Sequence, residues 1–205
     1  ILEATRSGKG QVVDTSMVEG SAALMHMVYC FFNQKQWTDK RGVNLLDTGA
    51  HFYETYETSD GKHVSIGPIE PQFYHLLKEK LELDESFEPQ LDPTCWPELK
   101  DKLAVIFKTK TRDQWCELLE GTDACFAPIL SMTEAPKHPH NVARKSFIEV
   151  NGEIQPGPAP KFSRTVPTVQ AGAPRPGSDT EDVLSSVAGY DSETLAALRA
   201  AGVLS

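Results

Sequence analysis

The sequence predicts an α+β fold, in which a small domain is accompanied by segments that belong to a second, incomplete body. A hairpin pattern that turns at Asp60-Gly61 is followed by three amphipathic helical segments and further short strands, which is typical of an α+β domain. A stretch rich in Pro and Gly over residues 156–177 then interrupts regular structure. Two short helices close the chain, and helices of that length are marginal in water unless they pack on another surface.

Composition excludes several classes of function. The 205 residues are 40% hydrophobic and 24% charged, as in a globular protein. A net charge of −9 argues against binding to nucleic acid or to an anionic membrane, because both need clustered lysine and arginine. No run of about 18 apolar residues is present, so we expect no membrane span. The P-loop, G-x-G-x-x-G and G-x-S-x-G motifs are also absent from the sequence.

Cysteine and histidine residues give no strong site. The four cysteines are far apart and form no C-x-x-C pair, which favours buried free thiols in a reducing compartment over a two-disulfide framework. They are Cys30, Cys95, Cys116 and Cys125. We expect an inert, buried Cys125 rather than a nucleophile, because its neighbour Asp123 is acidic and a thiolate needs nearby positive charge. His138 and His140 are expected to be solvated or capping residues, and we expect no metal.

Residues 1–48 are predicted to be the end of a large domain and a helix that leads away from it. The opening ILEATRSGKGQVVD has no initiator Met and no signal-peptide apolar region, and it has the pattern of a helix end, a Gly-rich turn and a strand at QVVD. We therefore expect the chain to begin within a larger fold. A helix from Ser16 carries apolar residues on most sides, so it is predicted to be buried or to pack against a partner.

Residues 49–155 are predicted to form the small α+β domain. The stretch FYETYETSDGKHVSIGPI alternates on both sides of its turn, which indicates a β-hairpin. Amphipathic helices are predicted from Pro71, Trp96 and Thr111. Further strands are predicted at CFAPIL and SFIEVNGEIQ. Residues 156–177 are expected to be a return linker, and residues 178–205 to form two helices that dock on the large domain, with a break at Gly189.

Glu70 occupies an unusual place in VSIGPIEPQFY, between Ile69 and Pro71, where a loop becomes a helix. Glutamate caps helices less well than Ser, Thr, Asn or Asp, so capping is a weak reason for its presence. Two alternatives remain open: a surface acid that interacts with the helix dipole, worth about 0.3–1 kcal/mol, and a residue of a site. Tyr53 and Tyr56 on the hairpin also have an ordinary explanation, which is packing against side chains of the neighbouring strand.

Four stretches of the sequence resemble, in the same linear order, the C-terminal half of the proteins of a known family. They are RSGKGQVVDTSMVEG, RGVNLLDTGAHFYETYETSDGKHVSIGPIEPQFYHLL, GTDACFAPIL and SDTEDVLSSVAGYDSETLAALRAAGV. The family is the family III CoA-transferase superfamily, and GPIEPQFY with DACFAPIL favours its α-methylacyl-CoA racemase branch. The resemblance implies a homodimer of interlocked rings, in which each subunit joins a Rossmann-like α/β large domain to a small α+β domain. The acyl site would lie between domains of different subunits.

The resemblance also implies a chemistry. A proton α to the thioester carbonyl of a 2-methylacyl-CoA is removed and returned through an enolate, by a His and an Asp of the large domain upstream of this chain. Glu70 matches the family glutamate that hydrogen-bonds and orients that His. Tyr53 and Ile69 match positions that line the acyl pocket, and Leu45 and Leu46 are further candidates. Met17, Met25 and Met27 fit a soft apolar surface for the acyl chain, with core packing as the alternative.

Two other functions remain as alternatives. One is formyl-CoA-type CoA transfer, which uses an upstream Asp as nucleophile, and the other is a non-catalytic, truncated dimerisation module. We expect no cofactor, because coenzyme A is part of the substrate, and we expect this chain alone to be inactive. The closing GVLS differs from the peroxisomal tripeptide signal, so we expect a bacterial cytoplasmic protein, or a peroxisomal or mitochondrial-matrix one if the source is eukaryotic.

Overall fold

The computed structural model describes residues 1–169 and 171–204. Gln170 of the predicted linker and Ser205 of the predicted terminal segment lie outside the described residues. The chain divides into two compact units, residues 1–129 and 130–205, and each is described by itself.

The first unit contains six α-helices and three strands, besides a short 3₁₀ helix at Glu85–Phe87. In chain order they are α1 (Leu2–Ser7), α2 (Met17–Leu24), α3 (His26–Asn33), β1 (Glu54–Glu57), β2 (His63–Ile66), α4 (Pro71–Leu81), α5 (Trp96–Phe107), α6 (Arg112–Leu119) and β3 (Phe126–Ile129). The predicted helix starts are confirmed. Pro71 occupies the first turn of α4, where its missing N–H costs nothing, and the Thr111 and Gln114 side chains form a capping box at α6.

The three strands form an antiparallel sheet in the order β1-β2-β3, which confirms the predicted hairpin. Tyr56 pairs with Val64, and Val64 pairs with Pro128 on the other side. The turn between β1 and β2 is closed by the Thr58 N–H, which donates to the Lys62 carbonyl at 2.8 Å. Gly61 has a φ of 72° in this turn, a conformation that glycine adopts without strain.

Two apolar clusters form the core of the first unit. In the larger one, helices α4, α5 and α6 bury one stripe each against Tyr56, Val64 and Ile66 of the sheet. The helix residues of this cluster are Leu77, Leu81, Leu99, Leu103, Phe107, Trp115 and Leu119. The smaller cluster joins Phe52 and Tyr74 with Ala50 and Trp96. Together the clusters fix the segment between β2 and α4, which carries Glu70.

The N-terminal segment departs from two expectations. The helix predicted from Ser16 is divided at Met25 into α2 and α3, and neither helix has a buried residue. The prediction of burial within this chain is therefore wrong, and the alternative, packing against a partner, stays a prediction. The strand predicted at QVVD is also wrong, because residues 11–14 form no strand. A strand needs a neighbour to satisfy its backbone groups, and no other described residue pairs with this segment.

Among its described residues, the second unit contains a separate two-stranded sheet and three short α-helices, besides a short 3₁₀ helix at Ala135–Lys137. They are α7 (Pro139–Arg144), β4 (Phe147–Val150), β5 (Glu153–Pro156), α8 (Thr180–Ser186) and α9 (Ser192–Ala200). The predicted strand pair is confirmed, with positive φ at both Asn151 and Gly152 of its turn. Residues 157–169 and 171–179 have no helix or strand, as expected of the linker. The break at Gly189 is confirmed, whereas the bounds of the four predicted segments stay predictions.

The cysteines are free thiols, as predicted, but the expectation that they are buried is wrong. Cys30 and Cys125 are exposed, and Cys95 and Cys116 are partly exposed. Cys30 lies on α3, which has no buried residue, and Cys125 lies just before β3. Separately, none of the helices formed by residues 1–169 and 171–204 combines the length and apolar character that a bilayer crossing requires.

Candidate active site

Residues 67–70 connect β2 to α4 and place Glu70 at a fixed point of the surface. The Gly67 N–H donates to the Cys125 carbonyl, and the Ile69 N–H donates to the Gly67 carbonyl, each at 2.9 Å. Pro68 is fully buried. Glu70 is exposed, and its backbone carbonyl accepts the N–H groups of the first turn of α4. Its carboxylate caps no backbone amide of α4 among the described residues, so the carboxylate remains available to another group. The backbone of Glu70, in contrast, is anchored by the hydrogen bonds to its carbonyl.

A cavity of about 320 Å³ lies beside this loop, within the size range of small-ligand sites. Its lining residues are Leu46, Thr48, Tyr53, Glu54, Thr55, Ser65, Ile66, Gly67 and Cys125. The Tyr53 ring lies against Gly67, where an added Cβ would come within 3.4 Å of its Cε2 atom. Glycine at this position therefore lets the aromatic ring lie close to the loop that carries Glu70.

The pKa of Cys125, in the cavity wall, is affected by burial and by the charge of Glu70. Burial raises the pKa of the Cys125 thiol, and the negative charges of Glu70 and Asp123 raise this pKa further. The thiol is therefore protonated at neutral pH, which argues against a nucleophilic role. The Cys125 carbonyl also accepts the Gly67 N–H, so this wall of the cavity is joined to the loop that carries Glu70.

An ion pair fixes another part of the lining. Lys100 of α5 binds Glu54 of β1, with 2.8 Å between Nζ and Oε2, and also donates to the Thr48 carbonyl. Thr48 has a φ of 75°, a conformation that costs free energy for any residue other than glycine. Lys100 thus ties the cavity wall to the core helix α5.

The core of the first unit contains a buried histidine that no sequence motif marks. His51 is fully buried, and its Nε2 atom lies 2.7 Å from the Tyr74 hydroxyl, which also donates to the Phe87 carbonyl. The Tyr56 hydroxyl donates to the His51 carbonyl at 2.6 Å. Burial, and to a lesser degree the charge of Lys100, lowers the pKa of His51 to about 4. His51 is therefore a neutral part of the core, without access to a substrate.

The structure brings some of the predicted site residues together and separates others. Tyr53 and Leu46 line the same cavity, beside the loop that ends at Glu70. Ile69, from that loop, packs against the smaller core cluster. Leu45 contacts the same cluster but lines a different cavity, of about 490 Å³.

Sequence reasoning missed several lining residues, although a signal for them exists. Side chains alternate between the two faces of a strand, so Tyr53 and Thr55 share one face of the hairpin. Thr55 pairs with Ser65 across the hairpin, and Gly67 follows on the same face. The position of Cys125 could not be predicted this way, because it depends on how β3 adds to the sheet.

Comparison with known proteins places the chain in a family. The sequence profile described as CoA-transferase family III matches residues 1–180. The chain belongs to CoA-transferase family III. It is 45% identical over 188 residues to the alpha-methylacyl-CoA racemase of Mus musculus, and 42% identical over 188 residues to that of Homo sapiens. Each alignment covers 90% of this chain and 49% of the relative, so the chain spans about half the length of these curated relatives.

A solved structure supports the fold independently. The crystal structure of a CaiB/BaiF family protein from Brucella suis superposes with a TM-score of 0.59 at 17% identity, over 85% of this chain and 47% of that one. The predicted family resemblance is therefore confirmed, and the architecture is that of a partial family III fold. The expected interlocked rings and Rossmann-like large domain remain predictions.

Proposed function

We propose that this chain is part of an α-methylacyl-CoA racemase and contributes one wall of its acyl pocket together with Glu70. The observation that carries the proposal is the 45% identity to a racemase over 90% of the chain. The geometry adds support, because the motif GPIEPQFY, whose resemblance favours the racemase branch, contains the anchored loop beside the cavity. The substrate would be a 2-methylacyl-CoA thioester, and coenzyme A would enter as part of it rather than as a cofactor.

The proposed reaction needs a group that removes the α-proton and another that returns it on the opposite face of an enolate. In our proposal an imidazole and a carboxylate from the half of the fold that this chain does not span perform these steps. Glu70 accepts a hydrogen bond from that imidazole, fixes its tautomer and stabilises the imidazolium as it forms. Glu70 is thus a positioning residue, and its exposure in this chain leaves its carboxylate accessible to such a partner.

The cavity is proposed to hold the acyl group. Tyr53, Leu46 and Ile66 supply apolar surface, and the hydroxyls of Thr55 and Ser65 add polar groups to the lining. We further propose a homodimer, in which the second subunit closes this cavity. The exposed apolar helices α2 and α3 support an assembly with more protein, because large uncovered apolar surfaces mark interaction sites.

The test is hydrogen exchange at the α-carbon. A complete protein, which contains this chain and the remaining half of the family fold, is incubated in D₂O with an (R)-2-methylacyl-CoA. We expect α-deuterium to appear together with the S epimer, without any added carboxylic acid. Residues 1–205 alone are expected to show neither. Exchange that is absent from the complete protein, with CoA transfer to an acceptor acid instead, would favour the transferase alternative and contradict the proposal.

A further inference from the structure

The loop that carries Glu70 is anchored by a side chain distant in sequence. Gln90 lies in the segment between α4 and α5, and only 9% of its surface is exposed. Its Nε2 atom donates to the Pro68 carbonyl at 3.1 Å and to the Ile69 carbonyl at 2.9 Å. The two hydrogens of one amide group thus bind the two carbonyls that directly precede Glu70.

Gln90 is itself fixed by the core. Its N–H donates to the Glu88 carbonyl, and its own carbonyl accepts the indole N–H of Trp96, both at 2.8 Å. Trp96 is buried and makes an edge contact with Phe52, with ring centroids 6.1 Å apart. A continuous chain of contacts therefore runs from the first residue of α5 through Gln90 to the backbone next to Glu70.

Other backbone groups of the loop find their partners without Gln90. Gly67 and Ile69 use their N–H groups for Cys125 and for the loop itself. The carbonyls of Pro68 and Ile69 point to Gln90, and Pro68 is fully buried. Buried carbonyls need a donor, so loss of the Gln90 amide would displace the loop or admit water.

We propose that Gln90 is a positioning residue for Glu70, and that its two hydrogen bonds set the rate of α-proton transfer. The inference rests on the proposed function, in which Glu70 orients an imidazole. A carboxylate that must meet an imidazole within hydrogen-bond distance tolerates little displacement, and a shift of about 1 Å in a catalytic arrangement can cost about a hundredfold in rate. Gln90 touches neither substrate nor reacting atoms in this scheme and acts only through the backbone before Glu70.

The experiment compares two glutamine-to-methionine variants in the complete protein. Gln90→Met keeps the length and approximate volume of the side chain but removes both donors. Gln114→Met is the matched control, because it removes one hydrogen bond, from the Thr111 N–H at the start of α6, away from the Glu70 loop. Steady-state kcat and KM for a 2-methylacyl-CoA are measured across pH, per folded active site, with Glu70→Gln and the double variant alongside.

We expect Gln90→Met to lower kcat about tenfold while KM changes less than about twofold, and Gln114→Met to keep the parent kcat. The acidic limb of the pH profile should move to lower pH in Gln90→Met, because a displaced Glu70 stabilises imidazolium less. A purely structural defect would reduce the folded fraction without moving this limb. In the Glu70→Gln background, Gln90→Met should cause little further loss.

Three results overturn the inference. If Glu70→Gln lowers kcat but Gln90→Met behaves like Gln114→Met, the role of Gln90 is wrong while the proposed function stands. An undiminished loss in the double variant would show that Gln90 acts independently of Glu70. If Glu70→Gln itself keeps full kcat, the proposed role of Glu70 fails, and the inference fails with it. Should Gln90→Met not fold, Gln90→Asn, which retracts the amide by one methylene, replaces it under the same criteria.

Discussion

Two helical regions of the first unit have the same kind of sequence and opposite surroundings. Helices α4 to α6 bury their apolar stripes, and Leu103 and Phe107 of α5 are inaccessible to solvent. Helices α2 and α3 are at least as apolar in sequence, yet Met17 is 89% exposed and Leu24 is 87% exposed. The difference lies in what faces them: the three-stranded sheet covers α4 to α6, whereas no described residue buries α2 or α3.

An apolar side chain therefore has a different role in each of the two helical regions. In α4 to α6 it contributes to the stability of the unit that holds the Glu70 loop. In α2 and α3 it is mostly exposed and is available to a further polypeptide surface. The apolar pattern predicts a helix in both regions, because side-chain spacing is local. Burial depends on tertiary partners, which the spacing does not specify.

The largest expected contrast is in unfolding free energy. Phe107→Ala removes a ring that stacks on Tyr56 and meets the Trp115 ring edge-on, and it should destabilise the chain by about 3–5 kcal/mol. Leu24→Ala should change stability by less than about 0.5 kcal/mol, because its side chain is already in solvent. Urea unfolding of residues 1–205 measures both. A comparable loss for Leu24→Ala would mean that α2 is covered after all.

The second expected effect is a pH dependence of stability that is caused by the buried His51. The pKa of His51 is about 4 in the folded chain and about 6.5 when the chain unfolds, so the unfolded chain binds the proton first as pH falls. Above pH ~6.5 the titration of His51 does not reduce the free energy of unfolding. As pH falls from ~6.5 to ~4, protonation of His51 in the unfolded chain lowers this free energy by roughly 3 kcal/mol at most.

Urea unfolding at pH 7, 5.5 and 4.5 checks this effect. His51→Gln keeps a polar atom near Nε2 but does not titrate, so it serves as the reference for the acidic groups that both proteins share. The wild-type chain should lose more stability than His51→Gln between pH 7 and 4.5. Equal losses in the two proteins would contradict the assigned burial of a neutral imidazole.

The smallest contrast uses two helix caps. Thr111 caps α6 within the core, and Ser16 caps α2, where its hydroxyl accepts the Glu19 N–H at 3.1 Å. Thr111→Ala should lower global stability by about 1 kcal/mol. Ser16→Ala should leave the global unfolding midpoint unchanged and only loosen α2, because that helix packs on no core. Circular dichroism during urea unfolding distinguishes a shifted midpoint from a small loss of helix signal in the native baseline.

Much of the local structure is predictable from the sequence, for identifiable reasons. Pro71 and Thr111 mark helix starts through their own backbone chemistry, and Gly61 and Gly152 mark turns through their positive φ. These signals lie within a few residues of what they determine. The family could also be recognised from short sequence motifs, and the matching profile confirms it.

What could not be predicted depends on contacts between distant residues. Leu45 and Leu46 are adjacent in sequence but line different cavities. Gln90 has no local motif, and its importance appears only once the fold brings it to the loop after β2. The failed strand at QVVD has the same origin, since pairing requires a neighbour that the segment itself does not contain.

The most direct test of the account is the pH dependence of α-deuterium exchange in Glu70→Gln, compared with Glu79→Gln as the control. Both residues are exposed acids, one at the start of α4 and one near its end. We predict that Glu70→Gln lowers the exchange rate by about 10- to 100-fold and moves the acidic limb to lower pH, whereas Glu79→Gln matches the parent protein. Equal rates and identical pH profiles for the two variants would contradict the claim that the Glu70 carboxylate orients a catalytic imidazole.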